Sequence, residues 1–81
     1  MTVTLKLFAA ARELIGAEEV NLEFPESATI GDVKRGLTQR YPQIASLLSR
    51  SVMARNQEYA LDADVVEESD ELAVIPPVSG G

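Results

Sequence analysis

The chain closes on Ile75-Pro76-Pro77-Val78-Ser79-Gly80-Gly81, and that ending offers the clearest chemistry in the sequence. Gly80 and Gly81 carry no Cβ, so their backbone can enter a channel too narrow for any side chain and present its carboxylate to another protein. Pro76 and Pro77 lack amide donors and hold the chain extended, which ends strand pairing and makes a stiff stem below the glycine tip. Chain ends are also common sites of inert fraying, so the glycine pair gains its meaning from the strand and prolines that lead into it. A second candidate is the acidic run from Glu58 to Glu71, which holds Glu58, Asp62, Asp64, Glu67, Glu68, Asp70 and Glu71. Asp62 and Asp64 offer clustered oxygens to a hard cation, but the glycine and terminal glutamate of a calcium loop are missing. A solvated loop, or an acidic patch steering a basic partner, explains the run better.

These residues need a scaffold. Leu72 to Ile75 is a short apolar run between a polar turn and prolines, the signature of a core strand. At the other end Val3, Leu5 and Leu7 alternate with Thr2, Thr4 and Lys6, which predicts a half-buried first strand. Phe8 breaks the alternation and by parity falls on the polar face with Lys6. Ala9 to Ile15 predicts a short helix, with Leu14 and Ile15 as candidates for burial and Gly16 as a left-handed cap. Glu19 to Phe24 predicts a second strand, with Val20, Leu22 and Phe24 inward and Pro25 as the stop. So short a connection favours antiparallel pairing of these two strands.

Thr29 and Asp32 form a variant capping box at the head of the main helix, where Ile30, Val33, Leu37 and Tyr41 recur at helical spacing. Lys34, Arg35, Gln39 and Arg40 take the opposite, solvated face. Gly36 inside that helix costs about 1 kcal/mol relative to alanine and marks close packing. Pro42 ends it, and Ile44, Leu47 and Leu48 predict a further helical turn or two. Val52 to Ala54, a turn at Asn56-Gln57, and Glu58 to Leu61 then predict two short strands. The order specifies an α+β roll of the β-grasp type: a mixed sheet of four to five strands, one main helix across it, and first and last strands parallel in the middle. The expected organisation is a β-grasp domain over residues 1–75 and an extended tail over residues 76–81.

Parallel central strands place Phe8 and Ile75 at C-terminal strand ends, both pointing away from the core. With Pro76, Pro77 and Val78 they would form an exposed apolar patch at the root of the tail, which implies a docked protein.

Bulk properties narrow the partner. Eighty-one residues make one domain with a modest core. A net charge of −6 with no histidine argues against nucleic acid and anionic membranes, both of which require a basic face, and favours a basic protein. There is no cysteine, hence no disulfide framework and no thiolate metal site. No apolar run approaches the roughly twenty residues of a membrane span, and no signal-peptide plan is present, so a cytoplasmic protein is expected.

Across nearly its whole length the chain resembles the small, sulfur-carrying subunits of molybdopterin synthases, which are ubiquitin-like β-grasp proteins. The resemblance rests on Leu7-Phe8-Ala9, Arg12-Glu13-Leu14, Asn56-Gln57, Asp70-Glu71 and the terminal Pro76-Pro77-Val78-Ser79-Gly80-Gly81. It implies that the Gly81 carboxylate, with Gly80 beside it, is adenylated with ATP by a ubiquitin-activating-type enzyme and converted to a thiocarboxylate with sulfur from a donor protein. It further implies transfer of that sulfur to cyclic pyranopterin monophosphate inside a large catalytic subunit, in an assembly of two large and two small chains. Phe8, Arg12, Ile75, Pro76, Pro77, Val78 and Ser79 are the implied partner contacts, and no cofactor or metal is expected on this chain. Departures are Leu7 and Ile75, where relatives often carry phenylalanine, and Arg55, where a small apolar residue is usual. Other readings are a ubiquitin-like modifier joined to lysines through Gly81, a carrier for thiamine thiazole synthesis, and a plain interaction module with an inert tail.

Overall fold

The computed structural model describes residues 1–77. Its elements are β1 (Thr2–Leu7), α1 (Ala9–Ile15), β2 (Glu19–Glu23), α2 (Ile30–Arg40), a 3₁₀ turn (Pro42–Ile44), α3 (Ala45–Leu48), β3 (Val52–Arg55), β4 (Glu58–Ala60) and β5 (Leu72–Ile75). The five strands form one sheet in the order β2-β1-β5-β3-β4. β1 and β5 run parallel, while β1–β2, β3–β4 and β3–β5 are antiparallel. This is the β-grasp plan expected from the element order.

One face of the sheet is sealed by the helices. Val3, Leu5 and Leu7 from β1, Leu72 and Val74 from β5, and Met53 from β3 meet Ile30, Val33 and Leu37 of α2, all nearly or fully buried. Period two in the strands and period 3.6 in the helix bring both apolar sets to one plane. Ile44, Leu47 and Leu48 close the end of this core.

Local signals hold where they depend on neighbours in sequence. Gly16 caps α1 at φ 83°. Asp32 N–H donates to Thr29 Oγ1 at 3.2 Å and Thr29 N–H donates to Asp32 Oδ2 at 2.9 Å, which completes the capping box. The Thr29 backbone N–H is the chief cause of a lowered Asp32 pKa, with further help from the Thr29 hydroxyl and the Arg35 guanidinium. A carboxyl whose pKa is lowered by folding stabilises the fold above its unfolded value, and that contribution is lost as pH falls through the folded value. Asp32→Asn is therefore expected to lower the urea midpoint near neutrality and to flatten its decline from about pH 6 to about pH 2, the two proteins converging at the acid end. Parallel curves would contradict this.

Four sequence expectations need correction. Leu14 is exposed and Ile15 only half-buried, while Ala11 is fully buried. In seven residues the inward stripe is set by Ala11 and Ile15 at i and i+4, and Leu14 falls beside it. The fourth strand stops at Ala60, leaving Leu61 74% exposed, because the Leu61 N–H donates to Asp64 Oδ2 at 2.9 Å and the chain turns there. β3 runs one residue further than expected, to Arg55, and β2 one less, although Phe24 N–H still bonds Met1 O at 2.9 Å.

Gly36 does mark close packing. A Cβ built there would lie 2.6 Å from both Cε1 and Cζ of Phe24, so the ring occupies the space a side chain would need. Gly36→Ala gains about 1 kcal/mol of helix propensity but displaces the ring at a cost of about 1–3 kcal/mol, a net loss of about 1 kcal/mol. In a Phe24→Ala background the same change becomes stabilising by up to about 1 kcal/mol. Denaturant midpoints of the four proteins in this cycle measure the reversal of sign, and strict additivity would refute it.

Candidate functional site

β5 carries the candidate site because it is the central strand and the last. Its neighbours are aligned as Lys6↔Ala73 and Leu7↔Val74 on the β1 side, and as Val52↔Ile75 and Ala54↔Ala73 on the β3 side. Leu72 and Val74 point into the core, so Ala73 and Ile75 face outward. Anchored on both edges, β5 delivers Pro76 and Pro77 at the sheet margin, the first half-buried and the second exposed.

Phe8 joins this outward face. Its backbone stays extended at φ −125° and ψ 153°, continuing the course of β1, and the chain turns into α1 at Ala9, whose φ is 49°. The parity of Lys6 is kept and the ring remains 49% exposed. Phe8 and Ile75 line one shallow depression with Lys6, Ala54, Gln57, Tyr59, Glu71 and Ala73. Its floor is made by Ala73 and Ala54, and Ala54 is opposite Tyr59 across the hairpin. Small residues in the middle and large ones at the rim shape the sheet face into a cup. On the rim, Lys6 Nζ is 3.6 Å from Glu71 Oε2, an exposed pair that contributes on the order of 0–1 kcal/mol.

Arg12 lies one step away, on α1, in an adjoining depression that also includes Lys6, Phe8 and Glu18. Its guanidinium is 3.9 Å from Glu18 Oε1, and both side chains are exposed. Of the residues singled out in the sequence, Phe8, Ile75, Pro76 and Pro77 are thus gathered at the end of the central strands, with Arg12 on the flank. Val78, Ser79, Gly80 and Gly81 lie outside the described residues. Tyr59, Ala54, Ala73 and Gln57 were missed. The alternation Glu58-Tyr59-Ala60 was a signal for one outward residue, but which strand Tyr59 faces depends on the register of the hairpin.

That register is held by Asn56. Asn56 and Gln57 have φ of 53° and 70°, the left-handed pair that a tight hairpin turn requires and that asparagine tolerates. The Asn56 backbone N–H donates to Glu71 O at 2.8 Å, Glu71 N–H donates to Asn56 Oδ1 at 2.9 Å, and Asn56 Nδ2 donates to Asp70 Oδ1 at 2.9 Å. The turn therefore clamps the entry to β5, which links two sequence motifs lying far apart in the chain.

The acidic run has structural employment. Asp62 Oδ1 accepts from Lys34 Nζ at 2.7 Å, and Asp70 Oδ2 accepts from Glu67 N–H at 2.8 Å. Carbonyls of Asp64 and Asp62 accept from the N–H groups of Ile30 and Gly31 in the first turn of α2, each at 2.9 Å. The loop thus covers the N-terminus of α2 with oxygen. Among the described residues, no helix is long and apolar enough to cross a membrane.

The family model described as the ThiS family matches residues 5–81, from the middle of β1 through the terminal glycines. The chain belongs to the ThiS family. Relatives within reach of this family assignment include the molybdopterin synthase sulfur carrier subunit of Arabidopsis thaliana, 39% identical over 79 residues that span 98% of this chain and 82% of the relative. The corresponding subunit of Dictyostelium discoideum is 44% identical over 78 residues, 93% of this chain and 91% of the relative. Among solved structures, SAMP1 from Haloferax volcanii superimposes with a TM-score of 0.91 at 31% identity, covering 100% of both chains.

Proposed function

We propose that this protein is a sulfur carrier for molybdenum cofactor biosynthesis, with the Gly81 carboxylate as the group that is loaded. The observation that carries this reading is the placement of β5: the central strand, paired on both edges, ends at the apolar cup and leads directly into the proline stem. The sulfur carrier names of relatives at 39% and 44% identity support it.

The chemistry follows from the groups present. A carboxylate is a poor electrophile; transfer of AMP from ATP, with release of pyrophosphate, makes it a mixed anhydride. Sulfur delivered by a donor protein at the hydrosulfide level then attacks the acyl carbon; the C–S bond forms as the C–O bond to AMP breaks, AMP leaves, and a thiocarboxylate remains. That sulfur attacks cyclic pyranopterin monophosphate within a large catalytic subunit, which receives the tail and supplies the acid-base groups and substrate pocket. Two large and two small chains make the working assembly, and a ubiquitin-activating-type enzyme uses the ATP. This chain contributes the reagent and the docking face, binds no cofactor of its own, and works in the cytoplasm. Its acidic surface suits protein partners and neither nucleic acid nor an anionic membrane.

Intact mass after incubation with ATP, an activating enzyme and a sulfur source tests the loading step: one oxygen exchanged for sulfur adds about 16 Da. An unchanged mass with a demonstrably active enzyme would refute the proposal. The likeness to SAMP1, by name a small archaeal modifier, favours one second reading, in which the same activated carboxylate acylates lysines. Covalent ladders that survive denaturing pull-down would support that reading.

A further inference from the structure

The opposite margin of the sheet carries backbone N–H and C=O groups with no strand partner among the described residues. Among the described residues β2 pairs only with β1, so its other edge is open. The Met1–Phe24 pair bonds in both directions and Leu7 N–H donates to Glu18 O, which phases the even-numbered residues of β2 toward β1. The N–H and C=O groups of Glu19, Asn21 and Glu23 therefore face outward along the free edge. Their side chains stand on the outer sheet face, all exposed, while Val20 and Leu22 turn toward α2.

Beside this edge runs a groove of about 580 Å³ between β2 and α2, with Leu22, Phe24 and Gly36 in its floor and Arg35, Gln39 and Arg40 on its far wall. The missing side chain at Gly36 lets the Cε1–Cζ edge of the Phe24 ring approach the helix there. An added strand would thus have two different faces to satisfy. Residues opposite Glu19 and Glu23 would share the outer face with two carboxylates, and residues opposite Val20 and Leu22 would point toward a groove with Leu22 and Phe24 in its floor and Asp32, Arg35, Gln39 and Arg40 along its sides.

We infer that the β2 edge and the β2–α2 groove accept an extended segment of a basic partner protein that alternates lysine or arginine with β-branched or aliphatic residues. Charge selects the occupant. A second copy pairing antiparallel about Asn21 would set Glu19 against Glu23 twice, so the edge repels its own kind and attracts a cationic strand. The net charge of −6 adds long-range attraction of the same sign. The site is on the far side of β1 from the apolar cup, so it can be occupied while the tail is engaged, and it stands whether or not sulfur is the cargo.

The probe is acetyl-Lys-Val-Lys-Val-Lys-amide, titrated into the full chain and followed by amide hydrogen exchange and by shifts of the Leu22 and Phe24 side chains. Protection of the Glu19, Asn21 and Glu23 amides is expected, with the corresponding glutamate-for-lysine peptide binding at least about tenfold more weakly. Asn21→Pro removes an outward N–H without touching the ladder to β1, and should weaken binding about tenfold, whereas Asn21→Ala keeps that N–H and should bind as wild type. Equal affinity for the two peptides, absence of protection at these three amides at millimolar peptide, or indifference to Asn21→Pro in a folded variant would each overturn the inference. Because the peptide charge reversal uses the unaltered protein, the test survives even if Asn21→Pro does not fold.

Discussion

Deletion of Gly81 is expected to abolish sulfur transfer while leaving the fold and the affinity for the large subunit nearly unchanged. The new terminus, the Gly80 carboxylate, falls short by one residue, about 3.3–3.6 Å of extended chain. A misplacement of only 1 Å can cost about 10²-fold in rate, so the remaining activity should fall below about a thousandth of wild type. Stability should not move, because the core is closed by Leu72 and Val74 and, among the described residues, the last hydrogen-bonded element ends at Ile75. The decisive comparison pairs a single-turnover assay with a binding measurement on the same preparation. Retained transfer by the truncated chain would sink the tail chemistry, and lost binding would place the docking energy in the tail instead of the sheet face.

Phe8→Asp is expected to show the reverse pattern. The ring is about half exposed at the rim of the cup, so a carboxylate there is hydrated in the free protein and the cost to folding is small. In the docked state the same position faces an apolar partner, and loss of an aromatic anchor together with burial of an unpaired charge costs at least about 2 kcal/mol, or about 30-fold in Kd. Titration calorimetry against the large subunit reads the loss, and thermal unfolding checks that the domain is intact. Affinity within a factor of about two of wild type would remove Phe8 from the interface. Adenylation of the tail distinguishes partners further: if the activating enzyme reads the same face, Phe8→Asp slows loading as well as transfer.

Much of this was visible without coordinates, and the particular residues say why. The Thr29–Asp32 box, the Gly16 cap, the stop at Pro42 and the alternation of Val3, Leu5 and Leu7 each rest on contacts within a few positions, so residue type and spacing suffice. Phe8 and Ile75 fall on the outward face that parity predicts, because two parallel strands ending at one margin leave little choice of face. Leu14 is exposed against the sequence expectation because a seven-residue helix has too few turns to define its buried stripe. Tyr59 and the Ala54–Ala73 floor were missed because their meeting requires the register of three strands, and that register is held by Asn56 reaching to Asp70 and Glu71.

The order of residues alone determined the kind of fold and the core faces of its longest elements, since each depends on short-range periodicity, and its terminal motif is what singles out the carboxylate proposed to react. Tertiary structure alone decided which side chains share the cup with Phe8, why Gly36 must stay bare, and which edge of the sheet remains open. Those outcomes turn on contacts between segments separated by tens of residues, where strand register and ring placement are chosen by the packing of the whole domain.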